Sequence, residues 1–490
     1  MPSSLPRSTP AAQGVDPAAI LSFLDAVAGR PDLEMHSLMV VRHGRVVAEG
    51  WWAPYSASRP QLLYSLSKSF TSTAAAFAQA EGLLDLDDTV LSHFAEFAAD
   101  ITDPRSRSMR VRHVASMASG HTRDMLGEAV MRDPEEPVRG FLLIPPDRDP
   151  GTVFAYSQPC TYTLASIIQR NAGMPLTRYL RPRLFDPLGI GHVGWHTFPP
   201  GREQGFSGLH ARTEDIAKLG LLYLRQGQWE GNQLIPKGWV AEATSKQVSN
   251  PGGDVLDWQQ GYGYQFWMSR HGYRGDGAFG QFCVILPEQD TVIVTTACTL
   301  DMQAMLDAMW THLLPGLGAS PPGTSSSGAT ANDQLRARLA GLELPACSGT
   351  PAPADWGPWT GAFQVTVSTA DTQPQPFLTS IPQPFPTSIE VAPQAGGWQV
   401  TLIEPGNALT FPVGTGGWTV SEHADRHGET IPVAASGGWL DGHTLRAEVI
   451  FLETPHRMDI TCSLPGRTAE AVWRHPPIFP SNLQQLHCPA

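Results

Sequence analysis

The sequence predicts an α+β protein: an antiparallel sheet flanked by helices and carrying an inserted helical subdomain, followed by an all-β C-terminal domain. Three observations carry this. Strand-like runs lie near both ends of the first 316 residues, HSLMVVRHGRVVAEGW early and DTVIVTTAC late. The stretch from about 62 to 224 between them is mostly helical in pattern. From about 345 the chain turns rich in Trp, Thr, Val, Gly and Pro, with short alternating segments such as WQVTLIE and LRAEVIFLE. One sheet assembled from the two ends, with helices inserted, accounts for that order.

The elements follow in turn. Asp16-Pro17 opens the first helix, because Asp caps well and Pro suits the first helical position. Ile20, Leu21, Phe23, Leu24 and Val27 then share one face. Two β-branched runs flank His43-Gly44, which reads as a hairpin. Phe282 to Leu286 reads as a strand partnering DTVIVTTAC, and Met302 to Leu314 as a closing helix. Residues 317–333, within GLGASPPGTSSSGATAND, read as a flexible linker. The expected domains are therefore 1–316, with the helical insertion at about 62–224, and a β domain at 334–490. The pair QPFLTSI and QPFPTSI in that domain is a short duplication in a loop or edge strand.

Composition narrows the function. At 490 residues the chain exceeds one ordinary core. A net charge of -13, with no basic run, argues against a nucleic-acid partner. The opening segment MPSSLPRSTPAAQGVD has no apolar signal-type core, and no stretch of about 18 apolar residues suggests a membrane span. The six cysteines, Cys160, Cys283, Cys298, Cys347, Cys462 and Cys488, are scattered without zinc-type spacing and read as reduced thiols. Cytoplasm is the expected location.

The chemistry concentrates in LLYSLSKSFTSTAAAFAQAEGLL, an Ala-rich segment that reads as a buried helix. Ser65 stands at its start and Lys68 three residues on, so the two share a face. A serine hydroxyl needs a base to become nucleophilic, and a lysine serves once burial lowers its pKa. The apolar flanks Leu62, Leu63, Leu66 and Phe70 make a solvated lysine a poor reading. The helix start adds free N–H groups suited to an oxyanion.

Other patterns carry less. GDGAFG (275–280) matches G-x-G-x-x-G, but a β-rich run follows instead of a helix. His423 and His427, four apart and beside Glu422, suggest a metal site, but no third ligand is evident and a solvated loop is the better reading. No G-x-S-x-G elbow occurs. His121, His210 and His271 have no spacing that singles out a Ser-His pair and read as polar surface residues.

YSLSKSFTST, EGLLDLDDTV, VRHVASMASGH, FAYSQPCTYTLASIIQ, GLHARTEDIAKLGLLYLRQGQW, GYGYQFW and GAFGQFCVILPEQDTVIVTT, in this order over about residues 10–315, resemble the penicillin-recognising serine hydrolases. That family holds class C β-lactamases, DD-peptidases, family VIII esterases, D-aminopeptidases and aminohexanoate-dimer hydrolases. The resemblance implies a β-lactamase/transpeptidase-like fold, Ser65 as acylated nucleophile, Lys68 as its partner and Tyr156 as general base or proton shuttle. A neighbouring ammonium would ease ionisation of Tyr156. The family's Tyr-x-Asn reads Tyr156-Ser157-Gln158 here, a departure that lengthens the amide arm. The third motif, Lys-Thr-Gly or His-x-Gly, corresponds to Gly275-Asp276-Gly277-Ala278, where the cation is missing and Asp276 would repel a substrate carboxylate. Gln158, Asp276 and Gly277 are the expected substrate contacts, and the N–H groups of Ser65 and Ala278 the expected oxyanion hole. This implies an esterase or amidase acting on small esters or linear amides, without metal or cofactor. A β-lactamase or D-amino-acid peptidase is the alternative, and a catalytically silent binding protein a third. The C-terminal domain would cover the cleft or mediate formation of a homo-oligomer.

Overall fold

A computed structural model describes residues 4–250, 252, 255–318, 326–351, 353–366, 386–395, 397–479 and 481–490. The chain divides into two compact units. The first comprises Met1–Gly50 and Leu62–Gly341, and the second Trp51–Gln61 and Leu342–Pro489.

In the first unit, α1 (Pro17–Ala28) starts where expected, with the Asp16 carboxylate accepting from the Ala18 N–H at 2.9 Å. β1 (Glu34–Arg42) and β2 (Arg45–Trp51) flank a two-residue turn. His43 and Gly44 there have φ 50° and 72°, the left-handed pair that matches hairpin twist. The other elements that frame the site are α2 (Ser67–Ala80), α3 (Gln158–Ala172) and α4 (Thr213–Leu224). They precede β3 (Trp267–Met268), β4 (Tyr273–Gly277), β5 (Gln281–Leu286), β6 (Thr291–Cys298) and α5 (Met302–Ala308). The sheet order is β2-β1-β6-β5-β4-β3, and β1 pairs antiparallel with β6 from Glu34↔Cys298 to Arg42↔Thr291. Strands from the two ends thus lie side by side, with the helical stretch between them, as the sequence pattern predicts. β6 is buried along its whole length. α4 lies on β6, β5 and β1, and Gly220 permits this: a Cβ there would sit 2.6 Å from Val292 and 2.7 Å from the Cys283 sulfur.

The boundary between the units differs from the linker expected at 317–333. Helix α6 (Ser326–Ala340) packs on α1, with Leu335 buried and the Arg338 guanidinium 3.9 Å from the Asp25 carboxylate. The Gly/Ser/Pro-rich composition hid that helix. Positions 319–325 lie outside the described residues.

Among the described residues the second unit holds a nine-stranded sheet built from β7 (Gly361–Val365), β8 (Ser388–Gln394), β9 (Gly397–Glu404), β10 (Asn407–Val413) and β11 (Thr419–Ala424), then β12 (Thr430–Trp439), β13 (Thr444–Phe451), β14 (Arg457–Ser463) and β15 (Thr468–Trp473). Its order is β10-β9-β8-β7-β15-β14-β13-β12-β11. The ladder curls almost to closure, because Gly414, just after β10, bonds to Ala435 and Gly437 of β12. Alternating inward residues such as Trp398, Val400, Leu402, Leu445 and Val449 fill the core, and covering the edges removes pairing sites. The first copy of the duplicated QPF segment, and residues 383–385 of the second, lie outside the described residues.

Among the described residues no helix is long and apolar enough to cross a membrane.

Candidate active site

Ser65 sits on a one-turn helix, Tyr64–Leu66, that feeds directly into α2. Tyr64 has φ 48°, a strained value for a bulky residue, and so presents Ser65 at a sharp bend. Its neighbours Tyr64 and Leu66 are buried, while Ser65 remains half-buried and reachable. Hydrogen bonds from Leu63 N–H to the Leu209 carbonyl (2.8 Å) and from Leu209 N–H to Ser67 Oγ (3.0 Å) anchor the bend on both sides.

Lys68, in the first turn of α2, is 1% exposed. Its Nζ donates to Ser65 Oγ (3.0 Å), Gln158 Oε1 (2.6 Å) and the Phe206 carbonyl (2.9 Å), and lies 4.7 Å from the centre of the Tyr156 ring. Burial pulls the amine down from its ordinary 10.5 to about 7, against the opposing pull of Asp124 and Asp276. A large fraction is therefore the free base near neutrality, the form that accepts a proton.

Burial drives the Tyr156 phenol well above its ordinary value, outweighing the downward pull of Ser65. The expectation that the lysine would ease its ionisation is thus reversed, because desolvation is the largest influence on the phenol. Tyr156 is a proton-carrying hydroxyl here. Its ring stacks on Trp267 at 5.1 Å, and Tyr262 and Phe154 continue the aromatic wall. Gln158 is the first residue of α3, and Asp124 Oδ1 holds its backbone N–H at 2.8 Å.

The third segment arrives on β4, which abuts the Ser65 bend. A Cβ on Gly277 would stand 2.1 Å from the Leu63 carbonyl oxygen, and one on Gly275 2.3 Å from Leu66. Only glycine lets the strand approach this closely. Ala278 follows, half-buried, and the next ring, Phe279, meets Tyr64 edge-on at 5.3 Å. The first and third motifs are thereby locked side by side.

One expectation needs correction. A cation stands immediately before Gly275-Asp276-Gly277, two residues from Asp276 and on the same face of the strand. Buried Arg274 gives its Nε to Asp276 Oδ2 at 2.8 Å, and its guanidinium lies 4.3 Å from the Trp258 ring. Asp276 is thus an ion-paired wall residue, which weakens its expected repulsion of a carboxylate. Burial still pushes its carboxyl up to about 6. Strand alternation could have revealed the pair. Asp124 and the Phe206 carbonyl had no comparable signal.

Two of the three histidines set aside as surface residues are buried. His121 bonds Ser119 Oγ and the Ile144 carbonyl, and His210 lies on the short strand Leu209–Ala211, whereas His271 is exposed. His423 lies on β11 and His427 beyond it. Among the described residues no group of three or more His, Cys, Asp or Glu could hold a metal ion, and five of the six cysteines are buried.

Fold and site together define a β-lactamase-type hydrolase scaffold. Residues 25–313 match the family model described as Beta-lactamase, and the chain belongs to that family. It is 26% identical over 309 residues to the 6-aminohexanoate-dimer hydrolase of Paenarthrobacter ureafaciens, covering 57% of this chain and 78% of that one. It is 23% identical over 195 residues to a beta-lactamase of Yersinia enterocolitica, covering 40% and 46%. Among solved structures, a putative 6-aminohexanoate-dimer hydrolase from Bacillus anthracis superposes with TM-score 0.53 at 20% identity, covering 65% of this chain and 89% of that one. Its relatives make hydrolase activity the family expectation.

Proposed function

We propose that this chain is a serine hydrolase that forms an acyl-enzyme at Ser65 on small esters or linear amides. The observation that carries the reading is the 3.0 Å contact between a buried, readily deprotonated Lys68 amine and the half-buried Ser65 hydroxyl. Lys68 takes the proton of Ser65 as its oxygen attacks the substrate carbonyl. The N–H groups of Ser65 and Ala278 receive the oxyanion, each such donor being worth about 3 kcal/mol of barrier. Tyr156 passes its proton to the leaving group as the Lys68 ammonium returns the one it took to the phenolate, so both end as they began. Water, giving its proton to Lys68, then attacks the acyl group, and that proton goes back to the departing Ser65 oxygen. No step calls for a metal or organic cofactor. The 6-aminohexanoate-dimer hydrolase relative supports linear amides as a substrate class.

The beta-lactamase among the relatives supports, as a second reading, a carboxylate-bearing substrate such as a β-lactam or a D-amino-acid peptide. Turnover of p-nitrophenyl butyrate against nitrocefin separates the two, with Ser65→Ala as control. Failure of a fluorophosphonate to label folded protein at Ser65 would sink both and favour a silent binding protein. A cytoplasmic location is proposed with it, on the scattered cysteines of the sequence.

A further inference from the structure

Asp124 touches neither Ser65 nor Lys68, yet it holds the residue that holds the lysine. Its Oδ1 accepts from the backbone N–H of Gln158 at 2.8 Å and of Leu126 at 3.3 Å, and the Met125 N–H in turn donates to Ser157 Oγ at 3.2 Å. The loop around Asp124 is thereby stitched to the start of α3. From that start the Gln158 side chain reaches back to Lys68 Nζ at 2.6 Å. A plain helix cap would explain the bonds, and Asn or Ser would serve it as well.

The charge is what a plain cap leaves unexplained. Burial pushes the Asp124 carboxyl up, so keeping it ionised costs free energy. The groups facing Lys68 are Ser65 from its own turn, Tyr156, Gln158 and Cys160 at the start of α3, the Phe206 carbonyl, Asp276 on β4, and Asp124. Two of these are carboxylates. Asp276 is tied to Arg274 at 2.8 Å, whereas among the described residues Asp124 meets no cation in a salt bridge. Its negative charge is therefore the one left unneutralised beside the amine.

We propose that Asp124 is a positioning residue for the reaction: through Gln158 it aims the Lys68 amine at Ser65, and its charge stabilises the ammonium formed when Lys68 takes the serine proton. This rests on the reading of Lys68 as the base.

The test follows the rate of Ser65 labelling by a fluorophosphonate from pH 5 to 9. Asp124→Asn keeps the acceptor and removes the charge. It is expected to move the acid limb to lower pH by roughly 0.5 to 1 unit, as loss of a nearby opposite charge should. Asp124→Glu restores the charge and should return the limb towards the wild-type position. Asp124→Ser, also uncharged, makes the same prediction as Asn and guards against a misfolded variant. A limb that stays put in the folded uncharged variants, with Ser65 still labelled, overturns the role of Asp124 alone. An absence of adduct at Ser65 in the wild type overturns the serine-lysine reading itself.

Discussion

Replacing Lys68 by Arg tests whether deprotonation of this amine sets the rate. At its ordinary 10.5 a lysine at pH 7 would be neutral in roughly 3 molecules in 10,000, whereas at about 7 half are neutral. Burial thus raises the free-base population on the order of a thousandfold. The expected profile of kcat/KM against pH on p-nitrophenyl butyrate is an acid limb of one proton with its midpoint near 7. An arginine keeps the hydrogen bonds but stays charged in proteins, so Lys68→Arg should lose on the order of 10³-fold in kcat/KM at pH 7 and show no such limb. The same shift carries a stability consequence of definite sign. Between about 7 and 10.5 the unfolded chain holds a proton that the native Lys68 has released, so this site makes stability rise with pH across that window. The penalty for burying the charge is full below about 7 and absent above about 10.5. In urea titrations Lys68→Met should therefore gain on the wild type at pH 6 and lose that relative gain by pH 10. An arginine variant within tenfold of wild type, or a Lys68→Met effect independent of pH, would refute the reasoning.

Three further outcomes follow. Ser65→Ala should keep the melting temperature and lose on the order of 10⁴-fold or more in kcat, and residual turnover near wild type in a stopped assay would move the nucleophile elsewhere. Gly277→Ala places a methyl 2.1 Å from the Leu63 carbonyl oxygen, so the Ser65 bend must shift. A displacement near 1 Å should cost about 10²-fold in kcat while circular dichroism stays native, and undiminished turnover would show that the strand yields instead. Trp398→Ala empties the centre of the β unit, where Trp398 is 1% exposed and 5.0 Å from Trp439. It should destabilise that unit by about 3–5 kcal/mol in urea titration, and a loss below about 1 kcal/mol would mean that the barrel collapses onto the gap.

What the sequence disclosed, and what it did not, divides by the range of the forces involved. The His43-Gly44 hairpin, the β1 and β6 strands and the Ser65–Lys68 pair were legible because each rests on short-range periodicity: two for strands, a turn with φ of 50° and 72°, and three residues along a helix. Helix α6 was missed because composition was weighed over a window where Gly and Ser outnumber Leu335, and only its packing on α1 reveals the buried leucine. The ionisation of Tyr156 is not legible for a related reason. Sequence supplies the neighbouring lysine but not the desolvation that Trp267, Tyr262 and the rest of the wall impose, and the desolvation is the stronger influence. If the lysine is the group that burial makes neutral and the tyrosine the group that burial keeps protonated, the two share one cause and take opposite proton roles. A site that simply excluded water would therefore assign base and acid without any further charge to tell them apart.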